Sequence, residues 1–274
     1  MFKIIIMALL IFIGMVGYDS ITDKAQPTTP VQQEQQKVSK HEKSAAMALF
    51  TSLLPPKEEW PSPVHKFYLA FNMDEVIDPI RQNPNWTSLD AMSRDIPQAL
   101  IAIEDHAFYN HGAIAVEGIL RAALANINAG EVVQGGSTLT QQFVKNVFLS
   151  HEQSMERKIE EAVLSLMLED NYSKDEILEL YLNTTYFGAG STGIKQASKT
   201  YFGKAPSALT LAEAAVIASL PYAPTSLNPL ENPEGCKKRQ LLVLAAMHKY
   251  GMINQGQLAE AKAEKIRLTN GIVM

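Results

Sequence analysis

From Ala45 onward apolar residues recur at three- and four-residue spacing, and the Thr/Val/Ile-rich alternation that marks strands is scarce, so the pattern predicts helix almost throughout. Ser173 with Glu176 and Thr210 with Glu213 read as capping boxes, which predict helices over 174–183 and 211–220. Pro221 and Pro224 stop the second of these, because proline supplies no backbone donor to continue the ladder. A further helix is expected over 236–250, ended by Gly251, and a last one over 255–265. Proline-rich connections are expected at 55–63 and 221–233, and no internal repeat is visible. The pattern predicts one all-α domain over 45–274, of about ten helices.

The first 44 residues follow other patterns. Lys3 precedes an apolar run from Ile4 to Tyr18, fifteen residues that as a helix reach about 22 Å, short of the ~30 Å hydrocarbon core of a bilayer. Residues 1–18 read as a membrane anchor or a signal segment; no Ala-x-Ala-like cleavage site follows, and Lys3 marks the cytoplasmic side. Residues 19–44 carry Gln26, Gln32, Gln33, Gln35 and Gln36 with Pro27 and Pro30. So few apolar side chains cannot offset the cost of ordering, and the stretch reads as a flexible tether.

Composition narrows the function. Hydrophobic residues at 46% and charged residues at 19% describe an ordered chain with a sizeable core. Lys plus Arg number 24 against 29 Asp plus Glu, a formal net charge of −5, which argues against a protein that grips nucleic acid through charge. Cys236 is the single cysteine, so no intrachain disulfide and no cysteine-only metal site can form.

Three segments carry candidate chemistry. In the first, an apolar helical turn from Ala99 runs into Glu104 and Asp105. A carboxylate at the end of a buried element is partly desolvated, which raises its pKa toward that of a general base; a solvated charge at a helix end is the alternative. His106 and His111 lack a third ligand at metal spacing, so His111 is expected to hold the loop by hydrogen bonding.

In the second, Gly135 and Gly136 precede Ser137, Thr138, Thr140, Gln141 and Gln142, with Thr138 and Gln141 spaced as a capping box. Free amide donors at such a helix start suit an anion or a sugar, Lys145 lies one turn beyond Gln141, and an ordinary well-capped helix is the alternative. In the third, Ile159, Ala162, Val163, Leu166 and Met167 form one apolar face of a helix. Glu161 points away from it between Leu164 and Leu168, so it is expected to be buried and paired with Arg157 one turn earlier, while Glu160 is expected at the surface. Paired protected carboxylates suit glycosidic chemistry, and nearby cations favour a phosphate leaving group.

The strings Glu104-Asp-x-x-Phe108-x-x-His111, Gly135-Gly-Ser-Thr-x-Thr-Gln-Gln142, Arg157-Lys-x-x-Glu161 and Ile177-Leu-Glu-Leu-Tyr-Leu-Asn183 resemble the peptidoglycan glycosyltransferase family. That family comprises the polymerising domain of class A penicillin-binding proteins and the monofunctional transglycosylases. The likeness continues through Tyr186-Phe-Gly188, Tyr201-Phe-Gly-Lys204, Leu211-Ala-Glu213 and Leu220-Pro-x-Ala-Pro224, and spans roughly Trp60 to Ala263.

The resemblance implies a lysozyme-like all-α fold with a small membrane-associated lobe, at the outer face of the cytoplasmic membrane behind a single-pass anchor. It implies polymerisation of lipid II into glycan strands, by inverting transfer with release of undecaprenyl pyrophosphate. Glu104 would be the general base, and Glu161 would stabilise donor or leaving group, directly or through a divalent cation such as Mg or Mn that the residues do not themselves require. Lys145, Arg157 and Lys158 match positions around the pyrophosphate, Ser137 and Gln141 line the cleft, and Asp105, Thr138 and Gln142 complete the candidate substrate-binding set. No protein metal site is assigned. Ile114, Val116, Ile119, Leu120, Leu124 and Ile127 match the membrane-dipping lobe, though the same spacing also describes a core helix. Lipid II, the growing strand, the membrane and other cell-wall synthesis proteins are the expected partners.

The sequence departs from the family pattern in places. Ala113 and Ala115 stand where Gly and Asp are usual, Gln153 where Arg is usual, and Tyr222 where Gln is frequent. A weakened scaffold relative and a glycan-cleaving enzyme on the same fold are therefore the competing expectations. With Met274 the last residue and no Ser-x-x-Lys with Lys-Thr-Gly, a transglycosylase without transpeptidase is expected.

Overall fold

The computed structural model describes residues 68, 69, 71–120, 127, 135–149 and 154–274. The expected anchor, the tether, the connection at 55–63, Leu124 and Gln153 lie outside these. The chain divides into two compact units, 1–78 and 79–274. In the first, the Tyr68 hydroxyl donates to Glu75, in the first turn of helix α1 (Asp74–Arg81).

In the second unit the described residues form α2 (Asp95–Glu104), α3 (Leu139–Phe148), α4 (Met155–Asn171), α5 (Lys174–Thr184), α6 (Ile194–Phe202), α7 (Leu211–Ser219), α8 (Pro233–Lys249) and α9 (Gln255–Ala263). Three short 3-10 turns, Leu89–Ala91, Phe108–Asn110 and Pro206–Ala208, join them. Among the described residues the only β pairing is two isolated bridges, Tyr186 with Thr192 and Arg267 with Val273, so the expected all-α class holds. No described helix is long and apolar enough to cross a membrane.

The centre of the unit is α7. Every residue from Ala212 to Ser219 is buried, and its alanines let α2 and α8 pack directly against it and against each other. Its buried Glu213 closes a capping box with Thr210 and pairs with Lys204 at 2.7 Å. Both expected boxes, and that of Thr138 with Gln141, are closed in both directions.

Helix α8 begins three residues before its expected start. Asn232 accepts from the Gly235 amide at 2.9 Å, and Pro233 occupies the first helical position, where its missing N–H costs nothing. Helix α9 ends at Ala263 rather than 265, and the chain then turns back, Ile266 and Met274 exchanging two backbone hydrogen bonds.

A second group of helices completes the site beside the end of α2. Helix α3 packs against α4 and α5. The polar residues of α5 clamp the incoming loop: Asn183 takes both backbone groups of Thr87, at 2.9 and 2.8 Å, and Glu179 accepts from Leu89 N at 2.8 Å. Gly188 sits at φ +88°, and a Cβ there would meet the Pro224 carbonyl oxygen at 2.3 Å, which ties the Tyr186–Gly188 string to the proline string.

Candidate active site

Glu104 is the last residue of α2. Ile101 and Ala102 bury the turn before it, and burial pushes the Glu104 carboxyl above the ordinary carboxylate range. The Gln142 amide, Arg239 and Lys145 pull it back, while Asp105 adds to the rise. Gln142 Nε2 donates to Glu104 Oε2 at 2.9 Å, and the Tyr181 hydroxyl donates to Gln142 Oε1 at 3.0 Å. The phenol thereby orients the amide, with its NH2 toward the carboxylate. Among the described residues no donor reaches Glu104 Oε1.

Asp105 spends both oxygens on structure. Oδ2 accepts the Leu139 amide at 3.0 Å, an otherwise unpaired donor at the start of α3, and Oδ1 accepts from His111 Nε2 at 2.6 Å. The other ring nitrogen of His111, Nδ1, donates to Gly112 O at 2.6 Å. Two donors require the imidazolium form. The Asp105 hydrogen bond accordingly raises the His111 pKa, helped by Gly112 and opposed by burial.

The second carboxylate is linked to the start of α3 through Lys158. Glu161 is 1% exposed, and its Oε1 contacts the Lys158 ammonium, which also donates to Ser137 Oγ at 3.1 Å. This corrects the expected pairing: Lys158, three residues before Glu161, is the partner, and Arg157 is not. On α4 the face that carries Glu161 is buried as expected, and the opposite apolar face is the more open one. Leu164, Ser165 and Leu168 are buried with Glu161, whereas Ile159 is 63% exposed and Ala162, Val163, Leu166 and Met167 are half-buried. Glu160, expected at the surface, is half-buried.

The remaining candidates divide by what they touch. Thr138 and Gln141 are buried and cap α3, with Thr138 Oγ1 also donating to the Ala113 carbonyl at 2.8 Å. That bond uses the backbone of Ala113, so the replaced glycine leaves it in place. Lys145 is exposed, and Arg157 is half-buried with an Nε that meets no acceptor among the described residues. Two residues near Glu104 escaped the sequence reading. Tyr181 looks like one more core position of an apolar helix, and nothing in Lys237-Lys238-Arg239 separates the last cation from its neighbours.

No group of three His, Cys, Asp or Glu among the described residues could hold a metal ion. Glu161, through which a bridging cation would act, is engaged by Lys158.

One carboxylate oriented by Gln142 and another held against Lys158 flank the first turn of α3, an arrangement that suits glycosidic chemistry. The transglycosylase family pattern matches residues 73–248. A protein named as a transglycosylase from Cupriavidus necator is 40% identical over 71% of this chain and 84% of its own. Penicillin-binding protein 1A of Neisseria flavescens is 44% identical over 68% of this chain and 23% of its own length, and that of Aquifex aeolicus 44% over 64% and 24%. The chain thus spans about a quarter of the penicillin-binding relatives. It belongs to the transglycosylase family, the peptidoglycan glycosyltransferases.

Proposed function

We propose that this chain polymerises lipid II into glycan strands by inverting glycosyl transfer, with Glu104 as the base. The observation that carries this is Glu104 itself: a half-buried carboxyl that desolvation raises toward a usable base, one oxygen fixed by Gln142 and the other open. Glu104 takes the proton of the acceptor 4-hydroxyl as that oxygen attacks the donor anomeric carbon. The bond to the pyrophosphate oxygen breaks, and the leaving group departs with the electron pair. Lys145, Arg157 and Lys158 meet the charge that develops there. Glu161 acts through Lys158, holding its ammonium beside Ser137 at the start of α3.

Exposed Val116, Ile119, Leu120 and Ile127, with Ile159 on α4, support contact of this lobe with a bilayer. With the apolar run at 4–18, they favour a single-pass protein of the cytoplasmic membrane with its domain on the outer side, within reach of other cell-wall synthesis proteins. The test is the full chain incubated with lipid II in detergent, the products separated by size. Polymer from the wild type and none from Glu104→Gln supports the reading; polymer from both overturns it.

A further inference from the structure

This inference rests on the reading of Glu104 as the base. Gln142 orients Glu104, and Tyr181 orients the Gln142 amide, but something must also hold the helix that carries Gln142. Two residues earlier on α3 is Thr140, which is fully buried. Residues two apart stand about 200° apart around a helix, so Thr140 lies at the back of the turn whose front carries Gln142. Its hydroxyl donates to Glu169 Oε1, near the end of α4, at 2.7 Å. The same oxygen accepts from Nζ of Lys174, the first residue of α5, at 2.7 Å. The side chains of Glu169 and Lys174 are 3% and 20% exposed.

Lys174 carries the link to the other half of the site. Its ammonium stands 4.4 Å from the ring centroid of the fully buried Phe108. Beside it, Asp175 accepts from the Tyr109 hydroxyl at 2.7 Å. Phe108 and Tyr109 belong to the loop that follows Glu104, and Asp105 of that loop returns to the start of α3 at the Leu139 amide. The contacts close a ring through Asp105, Leu139, Thr140, Glu169, Lys174 and Phe108. Asp105 takes α3 by its backbone end, and Glu169 takes it from the flank. A buried ion pair adds little net stability, and its best attested use is to fix one arrangement among several. We propose that Glu169 is a positioning residue: through Thr140 and Lys174 it fixes α3 against the loop after Glu104, and so keeps Gln142 on the base.

The test uses the full chain with Thr140→Val, Thr140→Ser, Glu169→Gln and the double variant of Thr140→Val with Glu169→Gln. The kcat and KM of lipid II polymerisation are measured per folded enzyme, the folded fraction being read from thermal melts. Thr140→Val removes only the hydroxyl and leaves the ion pair standing. It is expected to lower kcat roughly tenfold with KM within about twofold, because a misplaced base slows the chemical step without weakening substrate binding. Glu169→Gln loses at least as much, and Thr140→Ser, which keeps the hydroxyl, recovers most of the loss. The double variant loses no more than Glu169→Gln alone, because both changes act through one link. In parallel, nitrogen-15 NMR of labelled glutamine side chains, with Gln142 assigned by its absence in Gln142→Ala, reads the bond to Glu104 without turnover. In Thr140→Val that resonance moves toward the position it takes in Glu104→Ala.

A Gln142 resonance unmoved in folded Thr140→Val and Glu169→Gln overturns the proposal. So does a kcat within twofold of the wild type in both while Glu104→Gln is inactive, and so do losses that multiply in the double variant. Should one of the two single variants not fold, the other carries the same outcomes. A moved resonance beside full polymerisation by Glu104→Gln leaves the brace standing and removes the reading of Glu104 as base.

Discussion

The two carboxylates of the candidate site, Glu104 and Glu161, are built from opposite materials. Glu104 faces a neutral amide, Gln142, whose orientation is set by Tyr181, and its cations stand further off. Glu161 has an ammonium against it, and that ammonium is itself tethered to Ser137. A carboxylate that must accept a proton needs a partner that orients it without neutralising it. A carboxylate that aims a cation needs the reverse. Burial alone, common to both, does not distinguish them; the first neighbour does.

The largest expected effect breaks the Glu104 side. Glu104→Gln keeps the shape and the Gln142 contact but accepts no proton, so the polymerisation rate falls by about 10²–10⁴-fold with little change in Tm. Next comes an asymmetry on the Glu161 side, read by denaturant unfolding. Lys158→Ala strands a buried carboxylate and is expected to cost about 1–3 kcal/mol, below the cost for a fully buried pair because the Lys158 side chain is 46% exposed. Glu161→Gln leaves only a lysine that can turn to water, so it costs less stability while still lowering activity. Equal destabilisation by the two changes would remove the argument that Glu161 is held and Lys158 is aimed.

Gln142→Ala sharpens the comparison further. It leaves the Tyr181 hydroxyl without its acceptor and Glu104 without its donor, for about 1–3 kcal/mol of stability and roughly tenfold in rate. The smallest effect is on the dependence of stability on pH. His111 has its folded pKa raised by Asp105, so its contribution is fully present below the unfolded value and is lost as pH rises through the folded value. Thermal melts of the wild type should lose Tm across that window, and His111→Gln should flatten the loss.

Much of this arrangement was legible in the chain. Ser173, Thr210 and Thr138 announced their helices because a cap is a local device, complete within four residues. The start of α8 was misread because Asn232-Pro233 looks like a continued proline-rich loop, although proline is well suited to a first helical turn. The partner of Glu161 was misassigned because spacing favours the i, i+4 pair, whereas Lys158 is also drawn to Ser137 from another element. The role of Tyr181 was hidden inside a string already quoted, because its bond to Gln142 joins helices far apart in sequence.

The central claim is that Glu104 does the chemistry and Glu161 arranges the charge, and one paired measurement addresses it. Lipid II binding and polymerisation are measured together for the full-length wild type, Glu104→Gln and Glu161→Gln. The account predicts wild-type binding with no polymer for Glu104→Gln, and weakened binding with residual polymer for Glu161→Gln. Residual polymer from Glu104→Gln beside unimpaired binding and complete inactivity in Glu161→Gln would contradict it and exchange the two roles.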